Sequence, residues 1–148
     1  MKGDLRGFTE HPEGGRFLEV YRSPEVGGRV AMTHIYFHLG MGEVSHFHRL
    51  RSDEVWSLYR GDGVRLWLWD GVSLGVEEVV LSAGSGEFCH VVRSGWWQAA
   101  EPVGLEVMVG CTVAPGFEFA DFELMSLGLE AGRRLVGVRP DLGRLVKG

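Results

Sequence analysis

RVAMTHIYFHLGMGEVSHFHRLRSDEVWSLYRG, residues 29–61, alternates between two sets of side chains almost from end to end. Within Arg29–Leu39, Val30, Met32, His34, Tyr36 and His38 fall on one face of an extended chain. Ala31, Thr33, Ile35, Phe37 and Leu39 fall on the other. Successive side chains of a strand point to opposite sides, so this period of two marks a strand and not a helix. Both faces are semi-apolar, as they are when a sheet is sandwiched or closed on itself. Outward from this stretch the same pattern predicts strands over 17–22, 44–48, 54–59, 64–69, 77–81, 87–92, 96–100 and 106–114. Gly40-Met41-Gly42, Gly61-Asp62-Gly63, Asp70-Gly71, residues 83–86 and Pro115-Gly116 are the turns between them. Asp70-Gly71 is the clearest short hairpin signal. Many short strands at near-regular spacing predict an all-β sandwich or barrel. Past Phe122, Leu124, Leu127, Leu129, Leu135 and Val136 stand among polar residues and predict one or two short helices, weakened by Gly128, Gly132 and Gly137. The expected organisation is a β domain over 1–124 with a C-terminal helical appendage, 125–148, packed on it.

Composition narrows the function classes. The 148 residues are 45% hydrophobic and 24% charged, ordinary for one globular domain. A net charge of −5 argues against a nucleic-acid partner, whose binding rests on neutralising phosphates. No apolar run approaches the roughly 20 residues of a membrane-spanning helix, and the first 15 residues lack the apolar core of a secretory signal. Cys89 and Cys111 lack CxxC spacing and are expected to be buried free thiols in a reducing, cytoplasmic compartment.

Chemistry concentrates at His46-Phe47-His48. Residues i and i+2 of a strand share a face, so the two imidazoles are expected to converge on one site. Glu54 follows after a segment that turns the chain back. Two imidazoles and a carboxylate leave open positions for water or substrate and suit a divalent transition metal. Trp56 shares the face of Glu54, as an apolar wall or in the core. Tyr36 and His34 either line the barrel or pack beneath it. Glu13, before two glycines, holds a turn or closes the barrel mouth. Glu118 reaches either a pocket or a subunit contact, and Arg22 anchors an anion or forms a structural salt bridge.

The spacing Gly40, His46, His48, Glu54, Gly61 resembles the first cupin motif, with a longer His-to-Glu spacer. Gly86 followed by residues 93–98, RSGWWQ, is a damaged echo of the second, with Gln98 where a third metal-ligating histidine stands. HPEGGRFLEVYRS (11–23), SHFHRLRSDEVW (45–56), GWWQAA (95–100) and GCTVAPGFEFADFEL (110–124) resemble an uncharacterised family of the cupin superfamily that carries a domain-of-unknown-function label. The resemblance runs from about Leu5 to Leu124. It implies a cupin-type double-stranded β-helix, or jelly roll, forming a homodimer with a pocket inside the barrel. It also implies that the position of His48 is fixed, that the position of His46 accepts other residues, and that glutamine at the position of Gln98 is usual.

Two functional expectations follow. In the first, a small polar ligand (sugar-, nucleotide- or heterocycle-like) meets Tyr36, His46, His48, Glu54, Trp56, Gln98 and Glu118, with His48 and Glu54 as candidate catalytic groups. In the second, His46, His48, Glu54 and Gln98 hold one Zn, Fe, Mn, Ni or Cu ion in an isomerase, lyase or dioxygenase. A metal-free epimerase-type mechanism with a histidine base lies between them.

Overall fold

The computed structural model describes residues 5–148. Thirteen strands occur among them: β1 (Thr9–Glu10), β2 (Arg16–Arg22), β3 (Glu25–Val26), β4 (Arg29–Val30), β5 (Thr33–Leu39), β6 (Ser45–Arg49), β7 (Asp53–Gly61), β8 (Val64–Trp69), β9 (Glu77–Leu81), β10 (Cys89–Val92), β11 (Trp97–Pro102), β12 (Val107–Ala114) and β13 (Glu123–Leu124). They form an antiparallel sheet in the order β1-β2-β5-β12-β7-β10, a second in the order β13-β6-β11-β8-β9, and the small hairpin β3-β4. The architecture is all-β, as the alternation predicts.

Two elements differ from the prediction. The run 29–39 is broken at Ala31-Met32, so β3-β4 forms its own hairpin beside β5. The connection after Trp69 runs from 70 to 76, with Asp70 Oδ1 accepting from the Val72 and Ser73 amides. The aspartate organises a longer loop there instead of a two-residue turn.

The core lies between the sheets. Phe37, Trp56, Val109 and Cys111 of the first sheet meet Val64, Leu66, Leu68 and Ala100 of the second. The outer face of the second sheet is buried as well. Phe47, Trp67, Trp69, Trp97 and Ala99 pack there against Met125, Leu135 of α1 (Glu130–Val138), and Leu142 and Leu145 of the 3-10 helix Pro140–Leu145. Burial on both faces explains why β8, VRLWLW, is nearly all apolar. Leu142 is fully buried in this layer. Leu142→Ala is expected to cost about 2–5 kcal/mol, measured by urea unfolding; a loss within error of zero would mean the C-terminal segment does not stabilise the tryptophan layer. Among the described residues no helix is long and apolar enough to cross a membrane. Cys111 is buried as expected, but Cys89 is exposed, because β10 is the edge strand of its sheet.

Candidate functional site

One end of the sandwich encloses a small cavity, lined by His11 and Glu13 of the β1–β2 turn, Ile35 of β5, His48 of β6, Glu54 of β7, Cys111 and Val113 of β12, and Phe117 beyond it. Its free volume is about 30 Å³, room for about one or two water molecules.

The turn, HPEGG (11–15), carries Glu13 inside. It closes through the His11 amide to the Gly15 carbonyl at 3.0 Å and the Gly14 amide to the His11 carbonyl at 2.9 Å. It is tied to β6 by the His46 amide, which donates to the Glu13 carbonyl at 2.7 Å. The Glu13 side chain then enters the cavity and becomes buried.

A bulge sets which β6 residues it meets. Against β11, His48 pairs with Gln98 and Ser45 with Ala100, so His46 and Phe47 together oppose Ala99. The extra residue breaks the period of two. Ser45 and His48 both reach the cavity side, and Ser45 Oγ donates to Glu13 Oε2. His48 Nε2 lies 3.3 Å from the same oxygen. His46 is displaced: its Nδ1 donates to the Glu13 carbonyl at 2.8 Å, and its ring lines a separate cleft with Glu43 and Arg144. The two imidazoles therefore do not converge.

Tautomers follow from the hydrogen bonds. His48 Nδ1 donates to the His46 carbonyl at 2.8 Å, leaving Nε2 as a lone pair facing Glu13. The Glu13 amide donates to His11 Nδ1 at 3.2 Å, so that nitrogen also accepts, and it lies 3.1 Å from Glu13 Oε1. Burial pushes the Glu13 carboxyl up to about 8 against the smaller effect of the Ser45 hydroxyl. Burial lowers His11 to about 3, with His48 adding to the shift, and lowers His48 despite the nearby Glu54 carboxyl. Burial is the dominant cause for each, so the neutral forms prevail. At neutral pH, Glu13 is a carboxylic acid with one proton and the open His48 Nε2 lone pair within reach.

Glu54 is held from behind. Trp56 Nε1 donates to Gln98 Oε1 at 2.6 Å, and Gln98 Nε2 donates to Glu54 Oε1 at 2.8 Å. The Cys111 thiol adds a second hydrogen bond to Glu54. Burial raises Glu54 to about 7, opposed by the His48 ring. The Cys111 thiol is pushed well up by burial and by the two carboxyls, which makes it a donor and not a nucleophile. Aromatic rings close the mouth: Phe122 stacks on His48 at 5.5 Å and packs edge-on to His11 at 5.5 Å, and Phe117 lies 6.1 Å from His11.

The model of the Cupin superfamily (DUF985) matches residues 5–125. The chain belongs to that family. A solved protein from Shewanella oneidensis is 32% identical, with a TM-score of 0.77, over 95% of this chain and 91% of that one. A hypothetical protein from Leishmania major is 27% identical, with a TM-score of 0.75, over 94% and 90%. A Bacillus subtilis oxalate decarboxylase is 16% identical, with a TM-score of 0.62, over 86% of this chain and 33% of that one, a likeness of fold. No curated protein matches.

Within this cupin the metal set His46, His48, Glu54 and Gln98 does not assemble. The bulge turns His46 away, and Gln98 Oε1, the one amide atom able to ligate, is taken by the Trp56 indole. Among the described residues, no group of three or more His, Cys, Asp or Glu is arranged to hold a metal ion. Of the ligand-binding candidates, His48 and Glu54 line the cavity, while Trp56 and Gln98 stand behind Glu54 in the core. Tyr36 points to the outer face of the first sheet, beside His34 and Tyr59, because Thr33, Ile35 and Phe37 take the inward positions of β5. Glu118 is exposed; Phe117, its neighbour, lines the cavity. His38, which stands where the resemblance leads one to expect an aliphatic, pairs with Glu106 at 2.8 Å, away from the cavity. His11 and Ser45 were not singled out from sequence. The HPEGG string was the available signal for His11; Ser45 had none, because its inward position depends on the bulge.

Proposed function

We propose that this cupin binds a small polar molecule, or the reactive polar end of a longer one, and moves a proton on it. Glu13 and His48 are the acid–base pair, and Glu54 is the second acid. The observation that supports this reading is the approach of His48 Nε2 to Glu13 Oε2 at 3.3 Å inside a small buried cavity that Glu54 and His11 also line. A buried acid beside an open imidazole lone pair is poised to protonate one atom of a ligand while His48 accepts from another. The free volume of about 30 Å³ is too small for a whole sugar or nucleotide, so only a few heavy atoms enter.

Deuterium uptake from D2O into a panel of small carbonyl compounds tests it by NMR. Wild-type exchange is expected to fall by about 10²–10⁴-fold in both Glu13→Gln and His48→Ala. Equal rates in the wild type and both variants, or no exchange with any compound, would overturn proton transfer. Exchange lost on chelation and restored by one metal ion per chain would replace it with the metalloenzyme reading.

A further inference from the structure

We infer that the cavity selects a protonated amine: its ligand is a small molecule, or the end of a longer one, that presents an –NH3⁺ group and carries no carboxylate or phosphate into the site. This rests on the proposed function and adds the charge of its substrate. The wall chemistry is one-sided. Two carboxyls, Glu13 and Glu54, face the space, and among the described residues none that lines it is a lysine or arginine. Three of the basic groups on the surrounding segments are already engaged. Arg29 pairs with Asp121 at 2.5 Å and with the Gly116 carbonyl at 2.9 Å, Arg49 with Glu123 at 2.8 Å, and Lys147 with the Pro12 carbonyl at 3.1 Å.

The hydrogen-bonding sites point the same way. His48 Nε2 is an open lone pair, since that ring donates through Nδ1 to the His46 carbonyl, whereas the His11 Nδ1 lone pair is taken by the Glu13 amide. The Ser45 hydroxyl is spent on Glu13, while the Thr33 hydroxyl accepts from the Phe117 amide and keeps its own O–H. The Cys111 thiol and the Gln98 amide are spent on Glu54. What remains toward the centre is the His48 Nε2 lone pair and the oxygens of Glu13 and Glu54 against the O–H of Thr33. Once one carboxyl releases its proton acceptors dominate, and an ammonium offers three donors and no acceptor. A carboxylate would bring two more acceptors beside two carboxyls and find no fixed cation.

Aromatic walls add to the preference. Phe17 and Phe117 line the space and Phe122 stacks on His48; ring faces attract a desolvated cation. An ammonium group is about the size of the free volume. On entry it is met by Glu13 or Glu54 as carboxylate, and the displaced carboxyl proton leaves to solvent, so charge balances within the cavity.

The test is calorimetric titration of the intact protein with three probes of matched size: ethylammonium, acetate and acetamide. Ethylammonium is expected to bind, more tightly than acetamide and with acetate not binding. Its affinity is expected to fall about tenfold or more in Glu13→Gln and in Glu54→Gln, the loss of a charged hydrogen bond. The ranking in wild-type protein decides the matter even if a variant fails to fold. Acetate or acetamide binding as tightly as ethylammonium, no ethylammonium binding at all, or unchanged affinity in both folded variants would each overturn the inference. Preference for acetamide with deuterium exchange intact would overturn charge selection alone. Ethylammonium binding without any exchange would instead overturn proton transfer.

Discussion

Stability is expected to fall as pH rises above about 6.5 toward 8. The sign follows from the buried groups. Glu13 and Glu54 start from 4.5 in the unfolded chain and are raised to about 8 and about 7 in the folded one. Below 4.5 both states hold these protons. As pH rises the unfolded chain ionises first, so each group removes about 1.4 kcal/mol per pH unit until its folded value is passed. His11, lowered from 6.5 to about 3, acts oppositely, as do His48 and the partly exposed His34: their contribution is complete above 6.5 and is lost as pH falls. Between 4.5 and 6.5 the two trends oppose each other. Above 6.5 only the carboxyl limb remains. Glu13→Gln removes the last part of that limb, so the variant is expected to hold its stability between pH 7 and 8 while the wild type loses about 1.4 kcal/mol. Urea unfolding at both pH values measures this. Parallel losses in the two proteins would mean that Glu13 ionises as an ordinary surface carboxylate, and the acid–base reading would fall with it. The cost is what a functional group imposes on a fold that would be more stable without it.

Much of the sheet was legible because alternation is a local property. β6, β7, β8 and β12 lie where period two puts them, within a residue or two at their ends, and β5 keeps only the 33–39 part of the predicted 29–39. The functional face was less legible, because facing depends on the partner strand. His46 and His48 share a face in any ideal strand. Only the pairing of Ser45 with Ala100 and His48 with Gln98 shows that an extra residue intervenes. The same limit applies to Tyr36. Both faces of 29–39 are semi-apolar in sequence, and nothing local says that Thr33, Ile35 and Phe37 take the core while Tyr36 joins His34 and Tyr59 outside. Gln98 was visible as a position but not in its role. Its oxygen meets the Trp56 indole and its nitrogen meets Glu54, so it orients the acid where a histidine would have offered a metal its lone pair. Glu13 lies 35 residues from His48 in the chain (48 minus 13), and only the hairpin that folds back onto β6 joins them.

That hairpin is open to direct test at Gly14. Its φ is +113°, and a Cβ there would stand 2.1 Å from the Val44 carbonyl oxygen, a backbone atom that no rotamer change moves aside. Val44 immediately precedes Ser45, and the turn touches β6 again through the His46 amide and the Glu13 carbonyl. Gly14→Ala is therefore expected to lift the turn off β6 and carry the Glu13 carboxyl away from Ser45 and His48. The left-handed backbone alone costs a side chain about 1–2 kcal/mol, and the clash adds to that. Gly42→Ala separates the two effects: its φ is +78°, with nothing within 4 Å of the new Cβ. Both variants carry backbone strain, but only Gly14→Ala meets the neighbouring strand. Gly14→Ala is expected to lose more stability than Gly42→Ala in urea unfolding, and to lose deuterium exchange and ethylammonium binding that Gly42→Ala keeps. Equal behaviour of the two would show that the close approach of the turn to β6 is not what holds the acid in the cavity. Glu13 would then have to be positioned by Ser45 and His48 alone, and Ser45→Ala would become the more damaging change.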